Sequence, residues 1–304
     1  MESVKAYELL VFPSSIDSDS DGGNPATIFL GAENLTSEEM QSLTQKSGHE
    51  CGFVLPAPED SNCHYKMRYW VPTQEMEMCG HATVGAIWLL HQLGLLTPAS
   101  AENLRISTLS GIVEAQVLHD SSPSSCEVLV SQPTGTVHDL RHSYTLEILS
   151  SLGLKEEDLA PGYKIQNGCT SRAKTLIPLK SHDILQTLTP DPESIRRVCD
   201  RVGSTGLYPY VVLDSGAQLF EARQFPRSAG YVEDPATGIA AAALLFGLVE
   251  NGIVARETEK PVLVRQGWAM GKPSEIRVCL RHGGDGVGCW ITGNVNWRRE
   301  QFGE

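Results

Sequence analysis

The apolar residues of this chain are grouped unevenly, and the two densest groups carry the same plan. One is the run TVGAIWLLHQLG, opening behind Cys79-Gly80-His81-Ala82. The other is AAAALLFGLVENG, opening behind Thr237-Gly238-Ile239. Both are apolar nearly all round, the mark of a helix wrapped on most sides rather than one lying on a surface. Each ends at a glycine followed by two apolar residues, Gly94-Leu95-Leu96 and Gly252-Ile253-Val254, so one offset aligns both ends of both runs. An aromatic strand ending in proline precedes each: Arg68-Tyr69-Trp70-Val71-Pro72 and Arg223-Gln224-Phe225-Pro226. Strand-rich sequence follows each, LRISTLSGIVEAQVL in the first half and PVLVRQG with SEIRVCL in the second. The repeated unit is strand, loop, buried helix, then strands. Small residues at the helix starts (Gly80, Ala82; Gly238, Ala240, Ala241) admit close approach of other backbone.

This pattern predicts an α/β (α+β) fold of two similar domains. Each is a curled, mostly antiparallel sheet around a central helix. The expected boundaries are residues 1–134 with a returning C-terminal strand at about 290–304, and residues 135–289. The turn-rich stretch SQPTGTVHD, 131–139, provides the connection.

Composition narrows the partners. The chain has 304 residues, with 41% hydrophobic, 20% charged and a net charge of −13. Ample core material is available. The negative charge disfavours nucleic acid and anionic membranes. The N-terminal MESVKAYELLVFP lacks the basic and long apolar regions of a signal peptide, and no apolar run approaches a membrane span. Eight cysteines stand singly, with no C-x-x-C pair, which reads as a reducing, cytoplasmic setting.

Three clusters carry chemistry. Cys79 and His81 flank Gly80 at the first helix start. Glu233 and Asp234 precede the second. Glu50 enters the apolar strand Gly52-Phe53-Val54-Leu55, a setting that suits a proton shuttle. Helix starts carry free N–H groups that can hold a carboxylate or an enolate, although by themselves both also read as ordinary capped ends. Cys63-His64 and Cys79/His81 lack paired zinc spacing, so no metal is expected. Asp17-Ser18-Asp19-Ser20-Asp21-Gly22 matches half of a calcium loop. Its twelfth position is Ile28 rather than glutamate, and it reads as a solvated acidic turn. Gly283-Gly284-Asp285-Gly286 reads as a hairpin turn, and Arg298-Arg299 as a surface pair.

The ordered motifs Gly23-Asn24-Pro25-Ala26, His49-Glu50-x-x-Phe53, Glu77-Met78-Cys79-Gly80-His81-Ala82-Thr83, Glu233-Asp234-Pro235-Ala236-Thr237-Gly238 and Gln266-Gly267…Gly271-Lys272-Pro273-Ser274 resemble the PhzF family of phenazine-biosynthesis-like isomerases. The resemblance covers roughly residues 5–280. It implies the diaminopimelate-epimerase fold with the active site in the cleft between the domains. It also implies cofactor-independent proton transfer on a small carboxylate-bearing substrate, and a homodimer as a candidate assembly. By the same resemblance Glu50 is the general acid/base, and His81 and Asp234 support it. Asn24, Gly80, Thr237, Gly238 and Ile239 hold substrate.

The chain departs from the family pattern at His49-Glu50-Cys51, usually Ser-Glu-Thr. It departs again at Ile239, usually serine, and at Lys272, where arginine is frequent. In the epimerase branch of the fold two cysteines act as paired bases. Cys79 occupies the first position and Thr237 the second, so a two-thiol mechanism is broken. Two alternatives stand beside the isomerase. One is a racemase or epimerase pairing Glu50 with Cys79 or Asp234. The other is a non-catalytic binding protein.

Overall fold

The computed structural model describes residues 4–16, 22–59, 61–119, 126–283 and 286–298. The acidic stretch at 17–21, the turn residues Gly284 and Asp285, and Arg299 lie outside them. The chain divides into two compact units, one of Met1–Ser131 with Thr292–Glu304, the other of Gln132–Ile291.

In the first unit the strand order runs Val295–Trp297, Lys5–Val11, Asn24–Leu30, Cys51–Pro56, Tyr65–Val71, Leu104–Thr108, Gly111–His119. Successive pairings are antiparallel, antiparallel, parallel, antiparallel, parallel, antiparallel. Cys126–Gln132 adds a further antiparallel strand. In the second unit the order is Thr136–Asp139, Gln166–Cys169, Ala173–Pro178, Gly206–Asp214, Leu219–Ala222, Val262–Gln266, Ser274–Gly283. Its pairings run through the same succession of senses. Chance similarity of two alanine-rich helices would not reproduce six pairings in order.

The two apolar runs form the helices Gly80–Gln92 and Gly238–Glu250. Gly80 to Leu90 and Gly238 to Leu248 are buried without a break. The first helix packs on the strands Val295–Trp297, Lys5–Val11, Asn24–Leu30 and Cys51–Pro56, and also on Gly111–His119 near the far end of the strand order. The second touches Thr136–Asp139, Gln166–Cys169 and Ala173–Pro178, and also Ser274–Gly283. A helix can meet both ends of a strand order only if the sheet curls around it. Close approach requires small residues at the contact. A Cβ on Gly168 would sit 2.7 Å from the Ala243 carbonyl of the second helix. Both helices stop where the chain turns left-handed, at Gly94 and Gly252, each with φ of 68°.

Outer helices cover the convex faces. Ser37–Ser47 lays Met40 over Phe29, Phe53 and Trp70, with the two phenylalanine rings stacked at 4.7 Å. In the second unit Thr145–Ser150 and Pro192–Val202 bury Ile148, Leu149, Ile195, Val198 and Cys199 against Leu207, Val211 and Phe225. Burial pushes the Cys199 thiol up to about 12. Among the described residues no helix is long and apolar enough to cross a membrane.

Candidate active site

Glu50 owes its position to a helix stop. Ser37–Ser47 opens with a capping box between Thr36 and Glu39 and ends at Gly48, whose φ of 73° reverses the chain. His49 and Glu50 follow, and at Cys51 the chain enters a strand parallel to Asn24–Leu30. The carboxylate is therefore delivered at the mouth of a buried strand. His49 is fixed beside it by a 2.8 Å hydrogen bond between Nε2 and the Thr27 hydroxyl. Burial holds the His49 imidazole below its usual range, with the Arg298 charge acting in the same sense.

Cys79 and His81 come from the start of the first central helix. The hairpin of Tyr65–Val71 and Gln74–Met76 leads into Cys79, the extended residue before the first central helix. The first turn is pinned from within. Thr83 Oγ1 donates to the Cys79 carbonyl at 2.7 Å, which leaves it to accept from the Tyr69 phenol, also at 2.7 Å. Burial pushes the Tyr69 phenol far above its ordinary range, so it stays a neutral donor.

The result is a tight triangle. Cys79 Sγ lies 3.3 Å from Glu50 Oε2, His81 Nδ1 lies 3.3 Å from the same oxygen, and Sγ and Nδ1 are 3.4 Å apart. The histidine side chain is 5% exposed and the carboxylate 15%. Three proton-carrying groups of different type thus meet where apolar strand and helix start converge.

In the second unit Asp234, Thr237, Gly238 and Ile239 cluster at the start of the second central helix. The Thr237 hydroxyl donates to Asp234 Oδ2. Beneath them lies Gln266, wholly buried. Its Nε2 donates to the Asp234 carbonyl at 2.7 Å and to Thr237 Oγ1 at 3.1 Å. Its Oε1 accepts from the Thr237 N–H at 3.3 Å and from the Tyr208 phenol at 2.9 Å. A carbonyl and an N–H contact opposite ends of the amide, so its orientation is forced, and the Thr237 proton is thereby committed to Asp234. Glu233, next to Asp234, is held away in a two-pronged ion pair with Arg223 at 2.9 and 2.7 Å. The first unit has the same device in Arg68 and Glu75, at 2.6 and 2.7 Å. Ile239 is buried. Asn24 is buried at the start of its strand, opposite Val11.

Sequence reasoning named Glu50, Cys79, His81, Asp234 and Thr237, and the structure gathers the first three within one unit and the last two within the other. It did not foresee the supporting roles of Thr27, Tyr69, Thr83, Tyr208 or Gln266. A signal was present for two of them: Thr83 is a hydroxyl inside an otherwise apolar helix, four residues after Cys79, and Tyr69 is a phenol in a buried strand.

The chain is similar to known proteins. The family model for phenazine biosynthesis-like protein, PhzC-PhzF, matches residues 17–293. An uncharacterized isomerase of Deinococcus radiodurans is 32% identical over 263 residues, covering 84% of this chain and 81% of that protein. The uncharacterized isomerase YddE of Escherichia coli K12 is 30% identical over 262 residues, covering 85% of each. Among solved structures, the phenazine biosynthesis protein of the PhzF family from Bacillus anthracis matches with a TM-score of 0.81 at 27% identity, covering 97% of this chain and 98% of that one. A hydroxyproline epimerase from Agrobacterium vitis shares the fold alone, with a TM-score of 0.61 at 14% identity, covering 97% and 91%. The chain belongs to the phenazine biosynthesis-like, or PhzC-PhzF, family and is an isomerase of that family.

Proposed function

We propose that this isomerase moves a carbon-bound proton on a small carboxylate-bearing molecule, with Glu50 as the single acid/base shuttle. The observation that carries the reading is the triangle: the Glu50 carboxylate receives both the Cys79 thiol and His81 Nδ1 at 3.3 Å, at the start of a buried helix. A carboxylate with two adjustable donors can accept a substrate proton and return it while its neighbours compensate the change in charge. The backbone at the starts of the two central helices, at Gly80 and at Gly238, supplies fixed donors for the substrate carboxylate or for the carbanion that forms. In this reading Asp234 has a supporting acid/base role, and Asn24, Thr237, Gly238 and Ile239 hold substrate. No step calls for a cofactor. A cytoplasmic homodimer is the setting we propose.

Racemisation is the second reading. Two bases must flank one carbon, each within hydrogen-bond reach, which puts them about 6 Å apart. Cys79 Sγ and Glu50 Oε2 at 3.3 Å leave no room for a carbon between them. Cys79 therefore supports Glu50 rather than opposing it, and a two-base mechanism would have to use Asp234.

The test does not require the substrate to be identified first. The enzyme is incubated with a small-molecule extract in deuterated water, and the products are separated by chromatography and mass. A single shuttle converts one carboxylate into an isomer that keeps part of its original hydrogen. Complete deuteration at one carbon of a mirror-image product would instead establish racemisation with two bases.

A further inference from the structure

The same triangle has the dimensions of a metal site. A tetrahedral zinc ion holds sulfur at about 2.3 Å and nitrogen or oxygen at about 2.0–2.1 Å, so its ligand atoms lie about 3.3–3.6 Å from one another. Glu50 Oε2, Cys79 Sγ and His81 Nδ1 are separated by 3.3, 3.3 and 3.4 Å. Among the described residues this is the one set of three such side chains whose ligand atoms meet within 4.8 Å. Thiolate with imidazole selects zinc-class ions over magnesium or calcium. Charge also balances, because carboxylate and thiolate together neutralise a divalent ion in a buried place. Spacing along the chain argued against metal because the third ligand comes from a different strand.

We propose that Glu50, Cys79 and His81 bind one zinc-class divalent ion with its fourth position open, and that the ion switches the isomerase off. Binding forms the Zn–S bond and releases the thiol proton to solvent, so the ion binds more weakly as pH falls. The inhibitory part rests on the reading of Glu50 as shuttle: the ion occupies the oxygen lone pair that would take the substrate proton.

Cobalt(II) is the probe, titrated into the full-length protein. The expected result is one cobalt per chain with a sulfur-to-cobalt charge-transfer band. The band is absent in Cys79→Ser, and affinity falls about tenfold or more in Glu50→Gln, since loss of even an outer partner costs that much. Zinc displaces the cobalt and stops isomer formation, and a chelator restores it. Absence of the sulfur band, or an identical band in Cys79→Ser, overturns the site whatever the activity of Glu50→Gln. Zinc bound at the site with turnover unaffected overturns the inhibition and, separately, the assignment of Glu50.

Discussion

At the scale of single residues, the proposed function rests on a few atoms held by neighbours that do no chemistry. Glu50→Gln keeps the size and much of the hydrogen bonding of the side chain but cannot take a proton. Turnover should fall by roughly 10²-fold or more, with ligand affinity nearly unchanged, as single-turnover kinetics and ligand titration would reveal. The phenol of Tyr69 is further away. Tyr69→Phe removes the donor to Thr83 and, through it, steadiness at the Cys79 carbonyl. A loss of about 1 kcal/mol in stability is expected from one buried hydrogen bond, read by urea denaturation. Unchanged stability would mean that Thr83 needs no phenol to hold the turn.

At the scale of elements, each central helix is set by what lies under its first turn. Gln266 satisfies four groups at once in the second unit. Gln266→Leu leaves the Asp234 carbonyl, the Thr237 N–H and the Tyr208 phenol short of partners. At about 1–3 kcal/mol for each buried group left unsatisfied, the loss should reach roughly 3 kcal/mol. Gly168→Ala tests the other side of the same helix. Its methyl would collide with the Ala243 backbone, so strand and helix must part, and a marked drop in melting temperature is expected. Melting curves that match the wild type in both variants would contradict the packing described here.

These helices and strands were the legible part of the chain. Unbroken apolar runs and the glycines at 94 and 252 gave the central helices directly, because an all-round apolar helix has no surface to occupy. The sequence pattern predicts one continuous strand from Arg223 to Pro226 before the second helix. The structure has Leu219–Ala222, then Phe225–Pro226 with Gln224 bridging to Asp234. At the interruption Gln224 pairs with Asp234, ten residues further along the chain, a contact that local periodicity does not carry.

At the scale of the molecule, buried acids make the fold sensitive to alkali. The Cys199 thiol rises from its ordinary 9.0 to about 12, and burial pushes the Cys289 thiol and the phenols of Tyr69, Tyr208 and Tyr210 upward as well. A group raised in the folded state binds its proton more tightly there than in the unfolded chain. Its stabilisation is complete below the unfolded value and is lost as pH climbs through the folded one. Unfolding free energy should therefore be level toward neutrality and decline from about pH 9 upward. Urea midpoints across that range would check it, and a midpoint that rises above pH 9 would contradict it.

Much of the candidate site was also legible, but as letters rather than as an arrangement. Glu50, Cys79, His81 and Asp234 stood out because reactive side chains sat beside glycines and apolar runs. Nothing local said that Glu50 lies within hydrogen-bond distance of Cys79, since the helix stop at Gly48 and the parallel pairing of Cys51 with Thr27 set that distance. Nor could Gln266 be read as a hub, because its partners lie in two other segments of the chain, at Tyr208 and at Asp234 to Thr237.

The central claim is that one carboxylate carries the proton. Its most direct test compares isomer formation by wild type, Glu50→Gln and Cys79→Ser on the compound identified in the deuterium experiment. The account predicts that Glu50→Gln loses roughly 10²-fold or more while Cys79→Ser loses much less. An inactive Cys79→Ser beside an active Glu50→Gln would contradict it and assign the proton to the thiol.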